Sequence, residues 1–400
     1  GWVDDGPLLM DGDLNLLKGA VLCADAVNAV SPTYANELKL AYFAHRMESV
    51  MRQCEYKLSG VLNGIDMERY DPAKDPSIAV NFSLENMAGK DADKAYLQRL
   101  VGLREEAHVP VVAIVSRLVS HKGLDLICEV LHDMMKLPMQ LVVLGKGDKK
   151  YEEFFHWAAQ QYPGRMAVRL DYNEELSMAI YAGADLFLMP SKSEPCGLSQ
   201  MIAMRYGTVP IVRETGGLKD TVHPYESWRD AGNGFTFANY ASNDMLHVIR
   251  EAVYLYKDYP DAFGRLRRRA MECDFSWARS AGEYLRIYAG VTGQIWPAPE
   301  AASVEAEASA VEAAPADGKG AVEPASPEAP HFEEAASAEA AAPVEADTST
   351  EEESASAPAP KKRGPKPGAK STAKKAPAKK AAVKKAAGET KKKGAAAKEK

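Results

Sequence analysis

The spacing of apolar and polar residues changes near residue 111, and from there the chain reads as one alternating series. Val111-Val112-Ala113-Ile114-Val115 is apolar at every position, as a strand buried on both faces must be. An amphipathic stretch follows, and the two patterns then repeat. Strands are expected over residues 111–116, 140–145, 166–170, 185–189 and 208–212, with helices over 124–135, 151–161, 174–182 and 199–206. Such alternation predicts an α/β fold built on a doubly wound parallel sheet. Upstream, residues 14–24 read as a helix and 26–30 as a short strand. Ser31 is placed to cap the next helix and Pro32 to occupy its first turn. Further on, Ser276 is expected to cap a helix whose Trp277, Ala281, Tyr284, Leu285 and Tyr288 share a face, for which core packing is the expectation.

The periodicity stops near Trp296-Pro297. Beyond it Phe332 is the lone aromatic among Ala, Pro, Glu and Lys, so this stretch cannot bury enough surface to offset chain entropy, and residues 291–400 are expected to be disordered. The net charge of −7 conceals a segregation: residues 300–353 carry 15 acids against one lysine, and residues 361–400 carry 16 bases against two acids. The surplus negative charge therefore belongs to the folded part, which argues against wholesale nucleic-acid binding there. Five cysteines, Cys23, Cys54, Cys128, Cys196 and Cys273, lack CxxC spacing and point to neither a disulfide framework nor a zinc site. A reducing cytoplasm fits them. No run of eighteen apolar residues exists, so no membrane span is expected.

Candidate chemistry gathers where the expected strands end. After the strand at 185–189 come Ser191-Lys192-Ser193-Glu194-Pro195-Cys196-Gly197-Leu198, read as a polar turn and a helix start led by Pro195. Free N–H groups near Cys196, Gly197 and Leu198 would form an anion site, and Glu194 beside it suits an acceptor for sugar hydroxyls. The alternative is an ordinary helix N-terminus with an acidic residue. Cys196 reads either as a thiol of lowered pKa or as a small buried filler. Arg117 and Lys122 sit on the loop after the first strand of the series, at the edge where open α/β sheets bind ligands, and two cations there suit a leaving diphosphate. Solvated loop charges are the competing reading. Gly145-Lys146-Gly147-Asp148 would let backbone approach a nucleotide or simply turn, Tyr172 would stack on a base or lie half-buried, and Asn63-Gly64 is a turn beside the site or an ordinary one.

In order and spacing these residues resemble the glycogen and starch synthase family. The likeness runs through Ala29-Val30-Ser31-Pro32-Thr33-Tyr34-Ala35, Ser59-Gly60-Val61-Leu62-Asn63-Gly64-Ile65-Asp66, Ser116-Arg117-Leu118 with Lys122-Gly123-Leu124, Glu194-Pro195-Cys196-Gly197-Leu198-Ser199-Gln200, Glu214-Thr215-Gly216-Gly217-Leu218 and Asp274-Phe275-Ser276-Trp277, and so covers about the first 290 residues. The resemblance implies a GT-B fold with a complete second Rossmann-like domain at residues 63–272. Only the closing part of the first domain is expected, at residues 1–62, with a helix at 273–290 returning to it. It implies glucosyl transfer with retention from ADP-glucose to an α-1,4-glucan, with no metal or cofactor. Arg117 and Lys122 would neutralise the diphosphate and Glu194 would hold the donor glucose. Asn63, Gly145, Tyr172, Cys196, Gly197, Leu198, Thr215, Gly216 and Gly217 would complete the donor site. The family's opening Lys-Thr-Gly-Gly-Leu loop does not precede these blocks, so a fragment with little synthase activity of its own is expected. Other readings are a GT-B transferase using a UDP-sugar, or an inactive fragment whose basic residues 361–400 grip nucleic acid or another polyanion.

Overall fold

The computed structural model describes residue 6 and residues 8–294. The expected disordered segment and the nucleic-acid reading of residues 361–400 lie outside the described residues, apart from residues 291–294.

Ten strands appear in chain order: β1 (Leu9–Met10), β2 (Asp13–Leu14), β3 (Val27–Ala29), β4 (Leu58–Gly60), β5 (Val111–Val115), β6 (Gln140–Leu144), β7 (Met166–Arg169), β8 (Leu186–Met189), β9 (Val209–Arg213) and β10 (Phe235–Phe237). The last six form one parallel sheet in the order β10-β9-β8-β5-β6-β7. The chain thus builds outward from β5 to one edge, returns to place β8 beside β5, and builds outward again. Strand order reverses at the β5/β8 junction, the place where doubly wound sheets open a crevice beyond their carboxyl ends. Helices cover both faces, burying Val112, Ile114, Leu141 and Val143 in one apolar layer and Val111, Ala113, Val142 and Phe187 in the other. The earlier strands are smaller affairs: β1 and β2 pair antiparallel, and β3 and β4 pair parallel.

Several boundaries moved for physical reasons. The first helix begins at Leu16 rather than residue 14, because Leu14 pairs in β2 and Asn15 takes the cap, its Oδ1 accepting from Lys18 N–H at 2.9 Å. Ser31 caps the Pro32–Glu37 helix as its type and place predict, accepting from Tyr34 N–H. The helix expected over residues 199–206 runs Ser199–Arg205, and the segment before it is not the helix start read at Pro195. Gly197, in the left-handed region at φ +75°, breaks the run of right-handed residues that a helix needs, so Pro195 and Cys196 belong to a turn. The face expected to carry the final helix is also wrong. In Trp277–Thr292 the buried residue is Ser280, whose Oγ donates to Leu62 O at 2.7 Å, while Trp277, Ala281 and Tyr288 are exposed. Tyr284 does turn inward, donating to Asn28 Oδ1 at 3.2 Å. Polar anchors rather than the aromatic stripe set that helix's rotation.

Residues 63–110 and 216–272, for which no helix or strand is expected above, hold the helices Ala88–Val101, Ser242–Asp258 and Pro260–Met271 and strand β10. Ala88–Val101 shows why. It buries Lys90, Asp93, Lys94 and Gln98 against the sheet's flanking helices, which erases the apolar stripe a reader would look for. Lys90 Nζ, fully enclosed, donates to the carbonyls of Ala182 and Tyr206 and to Thr208 Oγ1, so each of its three protons has an acceptor.

Candidate active site

A cavity of about 400 Å³ opens at the crevice. Val115, Ser116 and Arg117 reach it from the end of β5, Gly145 from β6, Tyr172 from beyond β7, and Ser199 and Ile202 from the helix after β8. Its walls therefore come from both sides of the reversal in strand order. Tyr172 stands 89% exposed at the rim, free to stack on a planar group, and is not the half-buried loop residue of the competing reading. Gly145 donates its N–H to Arg169 O, so it bounds the floor of the cavity without offering that donor.

Lys122 closes a 3₁₀ turn, Ser120–Lys122, and Gly123 follows in the left-handed region at φ +73°. The turn aims the lysine across the sheet ends, where Nζ donates to Glu194 Oε2 at 2.6 Å. Ser191 Oγ donates to the same oxygen at 2.9 Å, and Glu194 is almost wholly buried. An ammonium has three protons, so Lys122 can keep this carboxylate and still offer donors to an anion. Arg117 remains exposed, with its Nη2 3.4 Å from His121 Nε2. Burial, and then the neighbouring charges of Lys122 and Arg117, hold the His121 imidazole below its ordinary pKa, so it is neutral near pH 7 and can accept from Arg117. Among the described residues, no group of three or more His, Cys, Asp or Glu side chains is placed to hold a metal ion.

Two turns lie one upon the other beneath Glu194. Gly217 N–H donates to the carbonyls of Glu194 and Pro195, and a Cβ at Gly216 or Gly217 would collide with the Glu194 or Cys196 carbonyl oxygen, respectively. Glycine is required at both for this close approach. The Gly216 N–H is taken by Glu37 Oε1 at 3.0 Å, and Thr215 Oγ1 donates to the same oxygen at 2.9 Å. Gln200 Nε2 ties the upper turn from the other side, donating to Cys196 O and Gly197 O. Cys196 is buried beside Asn63, whose backbone N–H faces the sulfur, and burial pushes its thiol pKa up. Of the two readings for Cys196, the buried filler holds. Leu198 is exposed, and Asn63 itself lines a separate cavity of about 270 Å³ between Pro32 and the final helix.

The structure thus joins Arg117, Gly145 and Tyr172 around one cavity, pairs Lys122 with Glu194, and stacks residues 194–197 on 215–217. Ser191, Gln200 and Glu37 are additions that sequence reasoning missed as parts of the site. Ser191 and Gln200 lie within the quoted runs around Glu194, where their polar side chains were a signal. Glu37 lies 178 residues from Thr215 and carried no such signal.

Residues 102–265 match the family described as Glycosyl transferases group 1, and residues 2–53 match the Starch synthase catalytic domain. The glycogen synthase of Geobacillus thermodenitrificans is 48% identical over 277 residues, covering 69% of this chain and 57% of the relative. That of Desulforudis audaxviator is 46% identical over 277 residues, covering 69% and 55%. Among solved structures, the catalytic domain of starch synthase IV from Arabidopsis thaliana, bound to ADP and acarbose, superposes with a TM-score of 0.67 at 36% identity over 70% of this chain and 58% of that one. The chain therefore spans little more than half the length of these relatives.

Proposed function

The chain belongs to the glycogen and starch synthase family and has a GT-B-type α/β fold, and from that premise we propose that it carries the donor half of a glucosyltransferase site. The reaction is transfer of glucose from ADP-glucose to the non-reducing 4-hydroxyl of an α-1,4-glucan, with retention. Residues 63–272 form the donor-side unit in this reading, while residues 1–62 and the helix after residue 272 belong to the acceptor side. The observation that carries the proposal is the Lys122–Glu194 pair, formed between the loops that follow β5 and β8, with Arg117 of the first loop lining the cavity. As the bond between glucose C1 and the diphosphate breaks, its electron pair goes to the phosphate oxygen. Arg117 and Lys122 stabilise the charge that develops there. Glu194 accepts hydrogen bonds from glucose hydroxyls, held in place by Lys122 and Ser191. Tyr172 stacks on the base and the turn at 196–198 faces sugar and phosphates, while the turn at 215–217, whose Gly216 and Gly217 N–H groups are taken by Glu37, Glu194 and Pro195, supports it from beneath. A cytoplasmic site of action suits a soluble nucleotide sugar. No helix among the described residues is long and apolar enough to cross a membrane.

Calorimetric titration of the chain with ADP, ADP-glucose and UDP-glucose tests the reading. ADP-glucose is expected to bind more tightly than ADP, and UDP-glucose more weakly than ADP-glucose. Equal affinity for both nucleotide sugars would favour a broader GT-B transferase, and no nucleotide binding at all would remove the donor assignment.

A further inference from the structure

Glu37 sits on the short Pro32–Glu37 helix, far in sequence from every donor-site residue, and yet it is the partner that the 215–217 turn depends on. Its Oε1 accepts from both Thr215 Oγ1 and Gly216 N–H, while Oε2, equally buried, has no hydrogen-bond partner among the described residues. One end of the same helix is fixed independently: Thr33 N–H and Oγ1 both donate to the Asp220 carboxylate. The helix is thus joined to the Gly216–Thr221 helix at two places. From the turn, contact passes straight to the donor residue, because Gly217 N–H donates to the Glu194 carbonyl and Gly216 has no room for a Cβ above it.

We propose that Glu37 is a positioning residue for the donor sugar: by holding Thr215 and Gly216 it fixes the backbone on which the Glu194 carboxylate stands. This rests on the reading of Glu194 as the group that holds glucose. A buried carboxylate is costly to keep where it makes a single productive contact, and two donors on one oxygen supply that contact here. The role is one of geometry, since Glu37 touches no part of the donor.

The test uses three variants of the chain. Glu37→Ala removes both acceptor contacts; Glu37→Gln keeps a carbonyl oxygen that can accept both; Thr215→Val removes the hydroxyl donor alone, in case Glu37→Ala does not fold. Hydrogen exchange is followed by mass spectrometry over residues 213–218, and the affinities for ADP and ADP-glucose are measured for each. Glu37→Ala, or Thr215→Val to a smaller degree, is expected to speed exchange in that peptide and to cut the preference for ADP-glucose over ADP by about tenfold, as the loss of one charge-assisted contact would. ADP affinity itself, set by Arg117, Lys122 and Tyr172, is expected to stay within about twofold of wild type, and Glu37→Gln to restore the preference. Unchanged exchange overturns the proposal, as does faster exchange with the preference intact. A wild-type chain with no preference overturns the donor assignment and this role with it, whereas a preference that survives in the alanine and valine variants overturns this role alone.

Discussion

Lys122 Nζ is held by Glu194 Oε2 at 2.6 Å, which fixes its charge beyond the carboxyl ends of β5 and β8. In an enzyme of the full length of its relatives, Lys122→Ala or Arg117→Ala is expected to lower turnover about a hundredfold, the scale for one preorganised electrostatic group. Thermal unfolding should change little for Arg117→Ala, whose side chain is exposed. Folded variants with near wild-type rates would exclude the leaving-group role. Tyr172→Ala should weaken ADP binding by about 1 kcal/mol, the worth of one stacking contact, without affecting stability; an unchanged dissociation constant would mean that the ring does not meet the base. The cysteines offer a sharper contrast. Burial keeps the Cys196 thiol protonated at neutral pH, while Cys23 is exposed. Brief iodoacetamide treatment of the native chain, read by peptide mapping, should label Cys23 well before Cys196. Comparable rates would show that the turn at 194–197 opens.

Asp185 governs the entry to β8. Its carboxylate accepts from Val111 N–H at 3.0 Å and pairs with Lys94 at 2.8 Å and Arg267 at 2.9 Å, so it joins β5 to the helices Ala88–Val101 and Pro260–Met271. Burial alone would raise its pKa, but Lys94 and Arg267 outweigh burial and hold it below the ordinary range. A depressed carboxylate stabilises the fold above its unfolded pKa of about 3.9 and loses that contribution as pH falls through the folded value. Urea midpoints should therefore fall in acid below about pH 4 for the wild type and less so for Asp185→Asn. At pH 7 that variant should be less stable by about 3–5 kcal/mol, because it leaves two cations uncompensated. Equal stability at pH 7 would show that the cluster contributes nothing. The same cluster explains what was hidden at this scale. Strands β5 and β8 are apolar at every position and β6 from Leu141 onward, whereas a helix that buries Lys90, Asp93 and Lys94 reads as a solvated segment.

For the whole molecule, the residues proposed to bind the donor lie within the described residues, which predicts that a chain ending at residue 294 binds ADP as tightly as the full 400 residues. Retention on DNA at low salt, if residues 361–400 supply it through their 16 basic side chains, should vanish in the shorter chain and weaken steeply with salt. A truncation that abolishes ADP binding would place the acidic and basic segment within the site. By itself the sequence determined the strands β5 to β9 of the parallel sheet and the residues Arg117, Lys122, Glu194 and Tyr172 beyond their ends, because burial on both faces and turn chemistry are local and leave a pattern in the order of residues. The tertiary structure alone decided which side of the Trp277–Thr292 helix faces inward and that Glu37 meets Thr215 and Gly216. These are matters of contact between distant segments. A hydrogen bond across 178 residues leaves no periodicity to read, and forms only when both segments have already folded.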